Sequence, residues 1–227
     1  MFNKFKELFG SENLLEGAYA TTLKMLKSDL KMYEASCTTL RSTDTAELPF
    51  DIRKMDRRIN KYLREVRRNV LTHLTIAGTQ NIVPGLVLVS IVIDVERIGD
   101  YTKNISELAI MHPKRLKAGP FEKDIVHMEG VIGDIFPRVI HVLSEQDKDS
   151  ASDILHLEDK TGKTADDILT SLITKQNKSL STGASISLAL YVRHLKRINA
   201  HLTNIASSIV NPFPRIGFRQ KTKKNKK

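Results

Sequence analysis

A fourteen-residue segment occurs twice in this chain, one hundred positions apart, and the repeat limits the fold more than any other feature. The run DVERIGDYTKNISE at 94–107 aligns without gaps on HLKRINAHLTNIAS at 194–207. Arg97, Ile98, Asn104 and Ile105 are matched by Arg197, Ile198, Asn204 and Ile205. Repetition at a long fixed interval means that one structural unit has been used twice. Each copy closes the third of three long apolar-periodic segments, so the unit is a three-helix set.

The periodicity is helical. Leu48, Ile52, Met55, Ile59, Leu63, Val66, Val70 and Leu74 recur at steps of three and four, which puts them on one side of a single long helix. The same spacing runs through 14–40, through Phe121, Ile125, Met128, Ile132, Ile135, Val139 and Leu143, and through Ile154, Ala165, Ile168, Leu172 and Ile173. Breaks rich in Pro, Gly, Ser, Thr, Asp or Asn fall at 42–49, 78–84, 112–120, 144–150 and 179–183. This predicts an all-α protein of six helices of about 25 to 30 residues, arranged as two tandem three-helix bundles over 14–112 and 121–211. The apolar stretch 82–93 is β-branched, but its pattern continues into 94–107, which suits a central helix buried on several sides. At 12 residues it falls short of the roughly 20 needed to span a bilayer. No secretory leader is legible at the start, and a cytoplasmic location is the expectation.

Charge is unevenly placed. The chain of 227 residues carries 36 Lys and Arg against 26 Asp and Glu, a net of +10. Seven of the basic residues lie in 212–227, which contains no acid and reads as a disordered tail. Eight more, Arg53, Lys54, Arg57, Arg58, Lys61, Arg64, Arg67 and Arg68, line the polar face of the second helix. Such a face is ordinarily a solvated surface, but it also suits an anionic partner or membrane surface. At the other end, 1–13 forms an amphipathic segment with Phe2, Phe5, Leu8 and Phe9 beside Lys4 and Lys6. It suits a membrane surface, a partner groove or the chain's own bundle.

The two copies of the repeat differ where chemistry would lie. Glu96 and Asp100 stand at i and i+4, one turn apart on one face, with Asn104 and Glu107 continuing it and Asp94 just before. Paired carboxylates on a bundle helix, joined by acids from a neighbour, supply oxygen ligands to a metal ion. In the second copy the equivalent positions are Lys196 and Ala200. Lys196 is expected to stand in for the cation there, neutralising Glu158, Asp159 or Asp166. Cys37 is the single cysteine, so no intrachain disulfide forms, and its helical setting reads as a small buried residue rather than a reactive thiol.

The motif at 94–107 and its echo at 194–207 resemble the paired motifs of the PhoU family of phosphate-uptake regulators, over about residues 14 to 211. The resemblance implies a pair of three-helix bundles and a metal-binding role for Glu96 and Asp100. A divalent or ferric ion such as iron or zinc is implied in the first bundle, with Asp94, Asn104 and Glu107 as supporting residues. Lys196 and Ala200 inherit no such role. It also implies a non-enzymatic adaptor that works with a phosphate transporter or a sensor histidine kinase, peripheral to the inner membrane face, and it admits a homodimer. Glycine-rich phosphate loops, nucleophile elbows and His-Glu-x-x-His pairs are absent from the sequence, so it offers no foothold for an enzyme. The competing reading is a basic helical protein that binds nucleic acid or a membrane surface and keeps a vestigial metal motif. The nucleic-acid arm is disfavoured because no recognised nucleic-acid-binding motif accompanies the charge.

Overall fold

The structure, a computed structural model of the chain, describes residues 14–77, 81–175 and 179–218. Among them are six long helices: α1 (Leu14–Ser42), α2 (Ile52–Ala77), α3 (Ile82–Met111), α4 (Glu122–Glu145), α5 (Lys148–Thr174) and α6 (Thr182–Val210). One-turn 3-10 segments at Gly119–Phe121 and Phe213–Arg215 complete the elements, and the described residues contain no strand. The N-terminal segment 1–13 lies outside the described residues.

Helices α1, α2 and α3 pack on one another, as do α4, α5 and α6, which gives the two expected bundles. The stripe on α2 is buried as its spacing requires, with Ile52, Ile59, Leu63, Val66 and Val70 in the core. In α3 the buried positions Leu88, Ile91, Val92, Val95, Ile98, Gly99, Thr102 and Ile105 go around the helix, because it contacts α1, α2 and α6. Burial on several sides outweighs the modest helix propensity of its Val and Ile residues. Pro84 falls in the first turn of α3, where the missing N–H has no intrahelical partner to lose. The stripe of α5 ends sooner than its spacing suggests, and Ile173 is 79% exposed.

The α4–α5 turn is tighter than the sequence implies, with only Gln146 and Asp147 outside helix. Gln146 adopts the left-handed conformation at φ 59°, and the Asp147 side chain accepts the backbone N–H groups of Asp149 and Ser150. That side chain satisfies donors that the first helical turn would otherwise leave unpaired.

The bundles meet along α3 and α6, with α1 also touching α4. The contacts obey an internal two-fold relation. Asp94 of α3 meets His201 of α6 at 2.7 Å, while Tyr101 of α3 meets His194 of α6 with ring centroids 5.9 Å apart. Positions 94 and 101 thus face positions 201 and 194, the exchange expected when two copies of one helix pack antiparallel.

The expected disordered tail is corrected in part. Residues 212–218 fold back on the end of α6. The Asn211 amide donates to the carbonyls of Arg215 (3.1 Å) and Phe218 (2.6 Å), and the Gly217 N–H donates to Ser207 Oγ at 2.8 Å. Gly217 sits at φ +82°, a conformation that favours glycine. The rest of the basic segment, 219–227, lies outside the described residues.

Candidate functional site

The acidic site is assembled by the first bundle. Glu96 and Asp100 lie on α3, and α1 brings a third carboxylate, Asp29, that the repeat comparison does not single out. Asp29 occupies a position in the apolar stripe of α1, spaced three and four from Met25, Leu26, Met32 and Tyr33. It is fully buried, and neither carboxylate oxygen has a hydrogen-bond partner. Helix α3 admits it through Gly99, where a Cβ would lie 2.9 Å from Asp29 Oδ1 and 3.1 Å from Ile59 Cδ1. The glycine therefore lets three helices close around a carboxylate. At the equivalent position the second bundle has Asn199.

A fourth acid comes from α2. Asp56, one of two acids within the basic run, reaches Lys103 Nζ at 3.2 Å, and the same ammonium lies 3.8 Å from Asp100. Arg97 bridges the other side, 2.9 Å from Asp100 and 3.6 Å from Glu96. Burial pushes the Asp29 carboxyl well above the usual carboxylate range, and the nearby Glu96 and Asp100 add to the shift. Glu96 is raised as well, by burial first and then by Asp100. Burial lowers the ammonium of Lys103, but Asp56, Asp100 and Glu107 outweigh it and hold its pKa above the ordinary value.

Whether a cation fits turns on Asp29. An all-oxygen donor set suits a hard cation. A buried carboxylate without a donor is costly unless something positive reaches it. Asp29, Glu96, Asp100 and Asp56 therefore fit a metal ion in chemistry. Among the described residues, no group of three or more His, Cys, Asp or Glu is gathered tightly enough to hold one in this arrangement. Arg97 and Lys103 occupy the approach to the face.

The family model for the PhoU domain matches this chain twice, over residues 22–109 and 125–209. The chain belongs to the PhoU family. The phosphate-specific transport system accessory protein PhoU homolog of Synechocystis sp. is 24% identical over 165 residues, 72% of this chain and 73% of that protein. The crystal structure of PhoU from Pseudomonas aeruginosa superposes with a TM-score of 0.78 at 19% identity, over 87% of this chain and 95% of that one. The phosphate transport system regulatory protein PhoU from Streptococcus pneumoniae gives 0.75 at 15% identity, over 92% and 98%. The last two comparisons show a shared fold.

Within the first PhoU domain, the supporting residues read from the motif separate. Asp94 does not join Glu96 and Asp100. It points across to the second domain, where it meets His201 Nδ1 at 2.7 Å and accepts from the Asn204 amide at 3.1 Å. Two residues along a helix is more than half a turn, so Asp94 and Glu96 face different neighbours. Asn104 is half-buried and Glu107 exposed, the latter near enough to Lys103 to affect it electrostatically.

His194 and His201, spaced seven apart, flank Tyr101 in the seam between the domains, with His201 stacked on the ring at 5.7 Å. Arg197 covers the same ring and donates to its hydroxyl at 3.2 Å.

In the second PhoU domain, Lys196 Nζ lies 2.5 Å from Asp166 Oδ1, so the lysine does engage a carboxylate of the neighbouring helix. Asp166 is well exposed, which makes this a surface pair of small energetic weight. The side chains of Glu158 and Asp159 lie outside the described residues. On α2 all eight basic residues from Arg53 to Arg68 are exposed. Cys37 lies between Tyr33 and Tyr191, and burial pushes its thiol up to about 12, so it is no nucleophile at neutral pH.

Proposed function

We propose that this chain is a non-enzymatic regulator of phosphate uptake or phosphate-starvation signalling, acting by association with a phosphate transporter or its sensor kinase. The observation that supports it is the double PhoU match, together with a relative named as an accessory protein of phosphate-specific transport. Among the described residues no helix is long and apolar enough to cross a membrane, so transport itself would belong to a partner. The chain would then work in the cytoplasm at the inner membrane face.

In this reading Asp29, Glu96, Asp100 and Asp56 would draw together to hold a divalent or ferric cation, whose positive charge would relieve carboxylate repulsion. What the chain does for itself is place one buried and three partly exposed acids at a single helix junction and hold Lys103 and Arg97 beside them. The basic face of α2 adjoins this site and is the surface that steers toward an anionic partner or headgroup layer. A symmetric pair of chains is compatible with this arrangement.

Two measurements test the reading. In phosphate-rich medium, cells lacking this chain are expected to switch on a phosphate-starvation reporter, and restoring the chain should silence it. An unchanged reporter with unchanged phosphate uptake would remove the regulatory role. Titrating metal-stripped protein with iron, zinc or manganese should raise its melting temperature, by about 2.7 kcal/mol of stability at a hundredfold excess over Kd. The Glu96→Ala/Asp100→Ala variant should not respond. Equal responses from both proteins would move the ion elsewhere.

A further inference from the structure

The internal two-fold relation brings together equivalent ends of the two domains, and they are filled differently. At one end the linker between α3 and α4 acts as a plug. Leu116 and Ala118 are fully buried there. The Leu116 N–H donates to the Leu40 carbonyl at 2.9 Å, and Arg41 donates to the Leu116 carbonyl. The plug is pinned beside the end of α1, the start of α4 and the residues that lead into α6, where Gly119 packs against Leu180.

Exchanging the two domains carries this end onto the start of α1, the end of α4 and the start of α3. A cavity of about 380 Å³ lies at that junction, lined by Tyr19, Val87, Ile91, Leu143, Ile209 and Phe213 among others. The lining is mainly apolar, and its volume is within the range of cavities that seat small ligands (about 300–1,000 Å³). The linker that fills the first end directly precedes α4. It has two counterparts by the two-fold relation: the segment after α6, which is already in place with Pro212 and Phe213 in the cavity lining, and the segment that directly precedes α1, residues 1–13. That segment carries Phe2, Phe5, Leu8 and Phe9 within eight positions. From Phe2 to Asn13 it spans about 18 Å as a helix and about 40 Å extended. Tyr19 is only five residues into α1 from Leu14, about 7.5 Å along the helix. The segment reaches the cavity in either conformation.

We propose that residues 2–9 are the intramolecular occupant of this cavity, docking their phenylalanines where the two-fold-related end buries Leu116. The cavity would then be a switchable site. A partner that presents an apolar segment of similar size competes with the chain's own N-terminus, and release of that N-terminus exposes Lys4, Lys6 and the phenylalanines together.

The chain contains no tryptophan, so a single indole reports the docking without background. Phe5→Trp is expected to give blue-shifted emission in plain buffer, independent of protein concentration and quenched several-fold less by acrylamide than in urea. Adding Val83→Glu, at a lining position that is 59% exposed and so not needed for folding, should shift the emission to the red and restore quenching. Phe2→Trp and Phe9→Trp guard against a poorly chosen reporter. Solvent-exposed emission from all three overturns the proposal. So does a blue shift that appears only with anionic phosphatidylglycerol vesicles, which would make the segment a membrane anchor. A shift that grows with protein concentration would place it on a second copy instead.

Discussion

Replacing Arg41 by alanine is expected to destabilise the protein by about 3 kcal/mol, because it removes the buried cation that part-buried Glu129 and half-exposed Glu122 share between the domains. Arg41 lies in the last turn of α1 with a side chain only 8% exposed, and it serves three acceptors across the junction. Its Nε donates to Glu129 at 2.8 Å, one Nη to Glu122 and the other to the Leu116 carbonyl. Glu129 also accepts the Tyr191 hydroxyl at 2.7 Å, and Glu122 accepts the Ala118 N–H at 2.7 Å. Without the guanidinium, both carboxylates remain held by neutral donors, next to a plug that has lost one of its anchors. The melting temperature should fall by on the order of 10 °C.

Arg41→Lys restores the charge but not the planar fork, so it should recover only part of the loss. The pH dependence gives a second check. Burial raises the Glu122 carboxyl, but Arg41 and the Ala118 N–H outweigh that and hold it below its ordinary 4.5. A depressed acid contributes stability that is present above its unfolded pKa and lost as pH falls through the folded value. The variant should therefore show a shallower loss of stability below about pH 4.5 than the wild type. A melting temperature within a degree of wild type at neutral pH would reduce the cluster to a surface pair.

What was legible in the sequence follows from the range of each interaction. Helix positions came from spacing within one segment, and α2 buries the apolar residues its periodicity names because that periodicity is local. The repeat revealed the two-domain plan because packing had left the same pattern twice. Glu96 and Asp100 were legible for the same reason, as an i, i+4 pair that α6 has lost. Asp29 needed a different signal, a carboxylate placed in the apolar stripe of α1, and its meaning depends on Gly99 seventy residues away. Asp94 was misplaced because its partner is decided by how the domains meet, which no single helix encodes. The segment 212–218 read as disordered from its charge, yet its order comes from Asn211, Ser207 and a glycine, three residues that composition does not weigh.

Asp29→Asn is expected to change stability in opposite directions depending on whether a cation is present. In metal-free protein the native state holds the Asp29 proton more tightly than the unfolded chain, because the folded pKa is raised well above 3.8. Above the unfolded pKa, the native state binds more protons, so stability falls as pH rises until the folded pKa is passed. At neutral pH the wild type therefore bears the cost of a buried acid without a partner. Asparagine keeps the shape beside Gly99 and removes the titration. The variant should be more stable at pH 7, because a neutral amide bears neither the cost of burying a charge nor that of taking up a proton on folding. That corresponds to a melting temperature higher by several degrees, and the difference should vanish near pH 4, where both proteins carry a neutral side chain.

With saturating cation the order should reverse. The wild type gains a bond between the ion and an anionic oxygen, while the amide offers only a neutral carbonyl. Thermal melts of both proteins across pH 4 to 8, with chelator and with metal, contain the whole test. If Asp29→Asn raises stability with and without metal by the same amount, Asp29 is a buried acid and no ligand, and any ion is held by Glu96, Asp100 and Asp56 alone. If the substitution raises stability in neither condition, the unpartnered carboxylate is not the cost that its burial implies. Only a change of sign between the two conditions makes the same carboxylate both the liability of the empty bundle and the ligand of the filled one.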